Sequence, residues 1–324
     1  MKKIKELLKE ASYWVLFTHV HPDADGMGSL LALHLALRER GKTTLPLVEG
    51  SPPSFLEFLH GFKDLVTPDR LPRDFPYSES VAVVLDLSEE ERVGDLAPVL
   101  RRIPRRIVLD HHAQTGSPLP GEHYSDPTAP ATALLVWRLL RELNWSVSPA
   151  VAENLYTGLY SDTGGFRFEN TGEEAFVAAA EMVRCGARPS WVGEHLLENY
   201  PPVRFELLRR VLERREFLAG GRGVVSFLAL EDFEELGGSP AEAEDLATFL
   251  RSMRGVEVSA LVKELKPGEV GVSLRSRGSI DVARLAASEG GGGHRRAAGF
   301  RKRNLSLFEV LHRVKSKIEA LLEE

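Results

Sequence analysis

Four short groups in this 324-residue chain carry histidine and aspartate at spacings that suit metal chemistry. The first is Thr18-His19-Val20-His21-Pro22-Asp23-Ala24-Asp25-Gly26-Met27-Gly28-Ser29. The others are Asp86, the triplet Asp110-His111-His112, and Asp162 within Ser161-Asp162-Thr163-Gly164-Gly165-Phe166. Mixed imidazole and carboxylate donors suit Mn²⁺, Co²⁺, Fe²⁺ or Zn²⁺, whereas an all-oxygen site leans to Mg²⁺ or Ca²⁺. Four or five carboxylates brought to one place repel one another unless cations compensate them. Two ions sharing a bridging aspartate is the simplest arrangement. Such a pair, about 3.5–4 Å apart, activates water and neutralises charge on a phosphoryl group.

The elements around these groups say how they could meet. The apolar run 13–17 reads as a buried strand leading into the first group, and 29–40 repeats at helical spacing until Gly41. Short strands are expected at 45–48, at 81–85 ending on Asp86, and at 106–109 ending on Asp110. Alternating strands and helices indicate a parallel sheet, whose C-terminal strand ends share one edge. That edge is where ligands bind in open α/β sheets. Helical periodicity follows at 132–143 and 149–159, and the glycine-containing stretch around Asp162 breaks the second helix. Singly, each residue has a plainer reading: Asp86 as a helix cap, the paired histidines as surface or core groups. The Asp-x-Asp after a strand also resembles the opening of haloacid-dehalogenase phosphatases. Their later lysine has no counterpart, because the chain has no lysine between Lys63 and Lys263.

Helices at 173–184, 191–197 and 201–217 lead to the Gly220-Gly221-Arg222-Gly223 turn. The expected organisation is a catalytic domain over 1–185, a helical linker over 186–219 and a substrate-binding domain over 220–324. The second domain reads as a strand at 224–230, a helix at 239–253 and strands at 256–262 and 270–274 joined by Lys266-Pro267-Gly268. A helix at 281–287, the run Gly290-Gly291-Gly292-Gly293-His294 and a last helix at 306–322 complete it. The fold class is therefore α/β: a parallel sheet with helices on both faces, plus a smaller α/β domain with a mixed sheet.

With 43% hydrophobic and 27% charged residues the composition is that of a globular protein. No apolar run is long enough for a membrane span and no secretory signal is visible, so a cytoplasmic location is expected. The single cysteine, Cys185, excludes an intramolecular disulfide and a cysteine-rich zinc site. Net charge is −6, yet residues 263–303 hold ten Lys/Arg against four Asp/Glu. In that basic stretch, Arg275 and Arg277 would share a face of a regular strand, and guanidinium forks suit phosphate oxygens. The glycine run offers backbone N–H groups to an anion, with His294 as an added donor. Few aromatics lie nearby, which argues against a long single-strand stacking groove.

Taken together, these motifs resemble the DHH phosphoesterase superfamily. Ser273-Leu274-Arg275-Ser276-Arg277, Ile280-Asp281-Val282-Ala283 and Gly290–Gly293 with His294 and Ala297-Ala298-Gly299 resemble its DHHA1 domain. Within the superfamily the pattern is closest to the small NrnA-type oligoribonucleases and pAp phosphatases. The resemblance implies one ion, usually manganese, on His19, Asp23 and Asp86, and a second on Asp25, Asp86, His111 and Asp162. Mg²⁺ or Co²⁺ would be substitutes. Asp110 would orient His111, and His112 would face the scissile phosphate as donor or general acid. His21 matches no family ligand and reads as a positioning residue. Arg275, Gly292, Gly293 and His294, with Arg277 nearby, would clamp the substrate end across a cleft from the metals. The implied activity is hydrolysis of short oligonucleotides to mononucleotides, with 3′-phosphatase activity on pAp. The implied partners are those nucleotides, without membrane or long duplex DNA, in a monomer or homodimer. The alternatives are a cyclic or linear dinucleotide phosphodiesterase and a non-catalytic nucleotide sensor.

Overall fold

A computed structural model describes residues 2–112 and 117–323. The chain forms two compact units, Met1–Asn199 and Tyr200–Glu324. The stretch expected as a linker, 186–219, is divided between them.

The first unit runs α1 (Lys2–Glu10), β1 (Tyr13–Phe17), α2 (Ala24–Arg38), β2 (Thr43–Leu47), β3 (Val81–Leu85), α3 (Ala97–Arg101), β4 (Arg105–Asp110) and β5 (Glu122–Ser125). Helices α4 (Thr132–Glu142), α5 (Pro149–Asp162), α6 (Glu173–Arg184) and α7 (Pro189–Leu197) follow. Its five strands lie in the order β2-β1-β3-β4-β5, all parallel. Alternate residues point to opposite faces. Trp14, Leu16, Val83 and Leu109 therefore pack with the apolar sides of α2, α4 and α5. Val15, Phe17, Val84 and Val108 pack on the other face with Val99 and Leu100 of α3. Burial on both faces is why these strands read as near-continuous apolar runs. The half-exposed edge strand β5, Glu-His-Tyr-Ser, carries no such run and is absent from the sequence expectation.

Helices α2 and α5 meet through glycine. A Cβ on Gly28 would lie 2.5 Å from the Asn154 carbonyl oxygen, and one on Gly158 would lie 2.6 Å from Asp25 Oδ1. Such backbone proximity leaves no room for a methyl group.

The second unit comprises α8 (Pro202–Glu213), β6 (Glu216–Leu218), β7 (Gly223–Leu228), α9 (Leu230–Leu236), α10 (Leu246–Arg251), β8 (Val258–Lys266) and β9 (Glu269–Ser276). It ends with α11 (Val282–Ser288), β10 (Gly292–His294), β11 (Ala297–Arg303) and α12 (Leu307–Glu323). The six strands run β10-β11-β9-β8-β7-β6, and only β7 and β8 pair in parallel. On one face Ala260, Val262, Val272 and Leu274 lie against α11 and α12. On the other face Leu261, Val224 and Leu228 lie against α8, α9 and α10.

Three local expectations change here. The helix expected over 239–253 is a 3₁₀ turn, Pro240–Ala243, and then α10, because Asp245 takes a left-handed backbone at φ +62°. The helix expected to reach residue 217 stops at Glu213, and Phe217 belongs to β6. The glycine run is a strand at its end: Gly292–His294 pair with β11.

Candidate metal centre

Strand β1 delivers Thr18 and His19 to the C-terminal edge of the sheet, and the chain then enters α2 through Asp23. The Asp23 carboxylate caps that helix, accepting the N–H groups of Asp25 and Gly26 at 3.0 Å each. Strand β3 ends at Asp86, whose φ of +66° is a conformation that aspartate tolerates better than most residues. Strand β4 ends with Asp110 and passes directly to His111 and His112. Asp162 corrects one expectation: it arrives on the last residue of α5 and not in a loop beyond a broken helix. The α2–α5 glycine contact brings it to the sheet edge.

The side chains converge. His19 Nε2 lies 3.4 Å from Asp86 Oδ2 and 3.9 Å from Asp23 Oδ1. His111 Nε2 lies 3.3 Å from Asp162 Oδ2, 3.6 Å from Asp86 Oδ1 and 3.9 Å from Asp25 Oδ2. Donor atoms of His19, Asp23 and Asp86 all fall within 4.8 Å of one another, as do those of Asp25, His111 and Asp162. Asp86, His111 and His112 form a third such group.

The tautomers make this arrangement informative. His19 Nδ1 sits 2.8 Å from the Val20 carbonyl oxygen, and His111 Nδ1 sits 3.2 Å from that of Ala129. A carbonyl only accepts, so both Nδ1 atoms carry the proton. Each neutral ring then turns an Nε2 lone pair toward carboxylate oxygens. Both Nε2 atoms are buried without a hydrogen-bond partner. Lone pairs facing lone pairs in a buried space need a cation between them, either protons or metal ions. Without metal, protons are favoured. Burial alone would lower the His19 pKa, but the Asp23 and Asp86 carboxylates push it up to about 10. Burial acts likewise on His111, and Asp162, Asp25 and Asp86 push it up to about 10. Burial raises the Asp162 carboxyl to about 6, and also drives Asp25 well above the usual carboxylate range, with Asp86 and Asp162 adding to that rise. The donor set thus fits divalent ions, which would displace these protons.

Gly26 lines the same space. A Cβ there would lie 2.5 Å from Thr18 Oγ1, 3.2 Å from His19 Nε2 and 3.4 Å from Asp86 Oδ2.

Asp110 departs from its expected role. Its Oδ1 takes the His112 N–H at 3.0 Å and pairs with His112 Nδ1 at 2.8 Å, so it orients His112, while the Ala129 carbonyl orients His111. Burial would raise the Asp110 carboxyl, but His112 holds it below the usual range. His21 is exposed at φ +53° and joins none of the three groups.

The start of α4 is a part of the site that sequence reasoning misses. Asp25 Oδ2 accepts the Thr132 N–H at 2.6 Å, and its Oδ1 accepts the Ala133 N–H at 2.9 Å and the Ser29 hydroxyl at 3.3 Å. The buried Thr132 hydroxyl also donates to Asp86 Oδ1 at 2.9 Å. A threonine opening a helix is the available signal. Asn170 adds a further tie, donating to the backbone carbonyls of Asp162 and Pro130 at 2.9 and 3.2 Å.

In the second unit, strand register sets His294 opposite Ala297 and Ala297 opposite Arg275. Arg275 and His294 therefore share a row and a face. Arg275 donates to Asp245 Oδ1 at 3.0 Å. Arg277 lies beyond the end of β9, exposed, so the face-sharing expected of Arg275 and Arg277 does not extend along a regular strand. Gly293 has φ +135°, and a Cβ there would lie 2.6 Å from the Ala297 carbonyl oxygen; its glycine serves strand approach. Gly292 is open, with no atom near the corresponding position.

A parallel-sheet unit with this edge, followed by a mixed-sheet unit, is the architecture of a metal-site phosphoesterase. The chain belongs to the DHH family. The model of the DHH family N-terminal domain matches residues 14–159 and that of the DHHA1 domain residues 220–324. The bifunctional oligoribonuclease and PAP phosphatase NrnA of Thermus thermophilus is 33% identical over all of this chain and 94% of its own length. The Bacillus subtilis protein of the same name is 25% identical over 98% of each chain. The crystal structure of an exopolyphosphatase-related protein from Bacteroides fragilis superposes with a TM-score of 0.92 at 26% identity, covering 100% of this chain and 97% of that one. Both NrnA relatives are named as hydrolases, and this chain is a hydrolase of the same phosphoesterase family. Among the described residues no helix is long and apolar enough to cross a membrane.

Proposed function

We propose that this chain is a cytoplasmic, Mn²⁺-dependent phosphodiesterase that degrades short oligonucleotides to mononucleotides and removes the 3′-phosphate of pAp. The observation carrying the reading is that Asp86 presents Oδ2 to His19 and Oδ1 to His111. His19, Asp23 and Asp86 would hold one ion; Asp25, Asp86, His111 and Asp162 would hold the other. When bound, the ions supply Lewis acidity and activation of water for in-line attack on phosphorus.

The chain's own residues do the rest. Asp110 accepts from His112 Nδ1, which fixes the ring's orientation. His112 Nε2 can then give its proton to the leaving nucleoside oxygen as the old P–O bond breaks and the bond from water oxygen to phosphorus forms. Thr132 and the first amides of α4 hold Asp86 and Asp25 in place. Arg275, His294, Gly292 and Gly293, with the exposed Arg277 near them, are the residues for a substrate-end phosphate. The names of the NrnA relatives, and their near full-length match, support short nucleotides as substrates.

The test is a Mn²⁺ assay comparing pAp, linear and cyclic dinucleotides, and end-labelled RNA and DNA of increasing length. Mononucleotide release fastest from the shortest linear oligomers is expected. Turnover confined to cyclic dinucleotides, or nucleotide binding without turnover, would replace this reading with one of its alternatives.

A further inference from the structure

One face of β9, β11 and β10 is free of both hydrophobic clusters of the second unit. Three cross-strand rows lie on it. Ser273, Gly299 and Gly292 form the middle row. Arg275, Ala297 and His294 form the row on one side, continued on β8 by Ser259. Gly271 and Arg301 form the row on the other side, continued on β8 by Lys263. Opposed and alternate residues point the same way, so Lys263 and Arg275 lie on one face; the middle row between them is small on β9, β11 and β10 and is the buried Leu261 on β8.

Lys263 is 6% exposed and forms no hydrogen bond or ion pair with a described residue. The charged groups acting on it are Glu244, Asp245, Arg275 and Arg301, and burial lowers its pKa. Such a mostly buried lysine lacks a paired anion, which a bound phosphate would supply. Asp245 is the informative neighbour. It is 69% exposed, sits at the left-handed break before α10, and accepts from Arg275 Nη2 while also acting on Lys263. One exposed carboxylate thus pairs with Arg275 and acts electrostatically on Lys263, two cations from strands of one sheet.

We propose that Lys263 is a substrate-binding residue that grips a terminal nucleotide phosphate together with Arg275, and that Asp245 is a resident anion which this phosphate displaces. The proposal rests on the phosphate-holding role given above to Arg275.

The experiment uses the full chain with Mn²⁺ and compares hydrolysis of pAp with that of adenosine 3′-monophosphate, which lacks the second phosphate. AMP binding is measured beside it by calorimetry. K263M should lower the preference for pAp about 10–100-fold, mainly through KM, as expected for a lost charge-assisted contact. K263R, which keeps the charge, should retain most of the preference. D245N keeps a residue tolerant of the left-handed backbone and should tighten AMP binding several-fold. Equal losses on both substrates in K263M, or unchanged AMP affinity in D245N, would overturn the proposal. If R275A also leaves the preference intact, the phosphate-holding reading itself fails; if R275A abolishes it and K263M does not, only the role of Lys263 is lost.

Discussion

The Thr132 hydroxyl donates to Asp86 Oδ1 at 2.9 Å, and the Thr132 amide donates to Asp25 Oδ2 at 2.6 Å. One residue at the start of α4 thereby orients carboxylates that approach both histidine-centred groups. Replacing it with valine keeps the shape and the amide but removes the hydroxyl. T132V is expected to weaken Mn²⁺ binding about 10–100-fold, with T132S near wild type, measured by titration calorimetry. Unchanged affinity in T132V would show that the hydroxyl does not position Asp86.

Asp86 is the sole carboxylate facing both His19 and His111 among the described residues. D86N should therefore lower turnover of a dinucleotide by about 10²–10³-fold or more and reduce bound metal below two ions per chain. Elemental analysis after desalting measures the metal directly. Chelation of the wild-type protein should abolish turnover, and added Mn²⁺ should restore it.

Gly26 tests the space between the donors. G26A puts a methyl group 3.2 Å from His19 Nε2 and 3.4 Å from Asp86 Oδ2. The expected result is weakened ion binding with a stability loss of about 1–3 kcal/mol from overpacking. A variant with full metal content and unchanged Tm would contradict this geometry.

Glu153 supplies a pH-dependent contribution away from the site. Its carboxylate is buried and accepts from Arg188 Nε and Nη2 at 2.8 Å each, and pairs with His60 at 2.9 Å. Burial would raise its pKa, but Arg188 and His60 hold it below the ordinary value. A depressed folded pKa adds stability above the unfolded value, about 4.3, and that stability fades as pH falls through the folded value. E153Q should cost about 1.5–3 kcal/mol in denaturant unfolding at pH 7. The gap from wild type should narrow as pH falls below the unfolded value; a constant gap would assign the effect to packing.

The strand-end groups are legible because a buried parallel strand announces itself by apolar residues and stops at its first charged one. His19, Asp86 and Asp110 follow from that rule alone. Partners that depend on side-chain direction do not. Asp110 accepts the N–H of the residue two places on, a local turn that aims its carboxylate at His112 and past His111. Thr132 lies 46 residues from the aspartate it holds, and nothing local marks that pairing. Strand β5 escapes notice because an edge strand need not be apolar. Helix α10 is shorter than its periodicity suggests because Asp245 breaks the pattern by backbone conformation, which composition does not display.

The glycine contact between α2 and α5 has a consequence for carboxylate spacing. Gly158 carries no donor atom, yet its bare Cα is what lets α5 lie against Asp25 while its end carries Asp162. The gap between those two carboxylates is thus gauged by helix spacing. A side chain at Gly28 or Gly158 would push α5 away from α2 and so change the distance between Asp25 and Asp162 with both carboxylates still present.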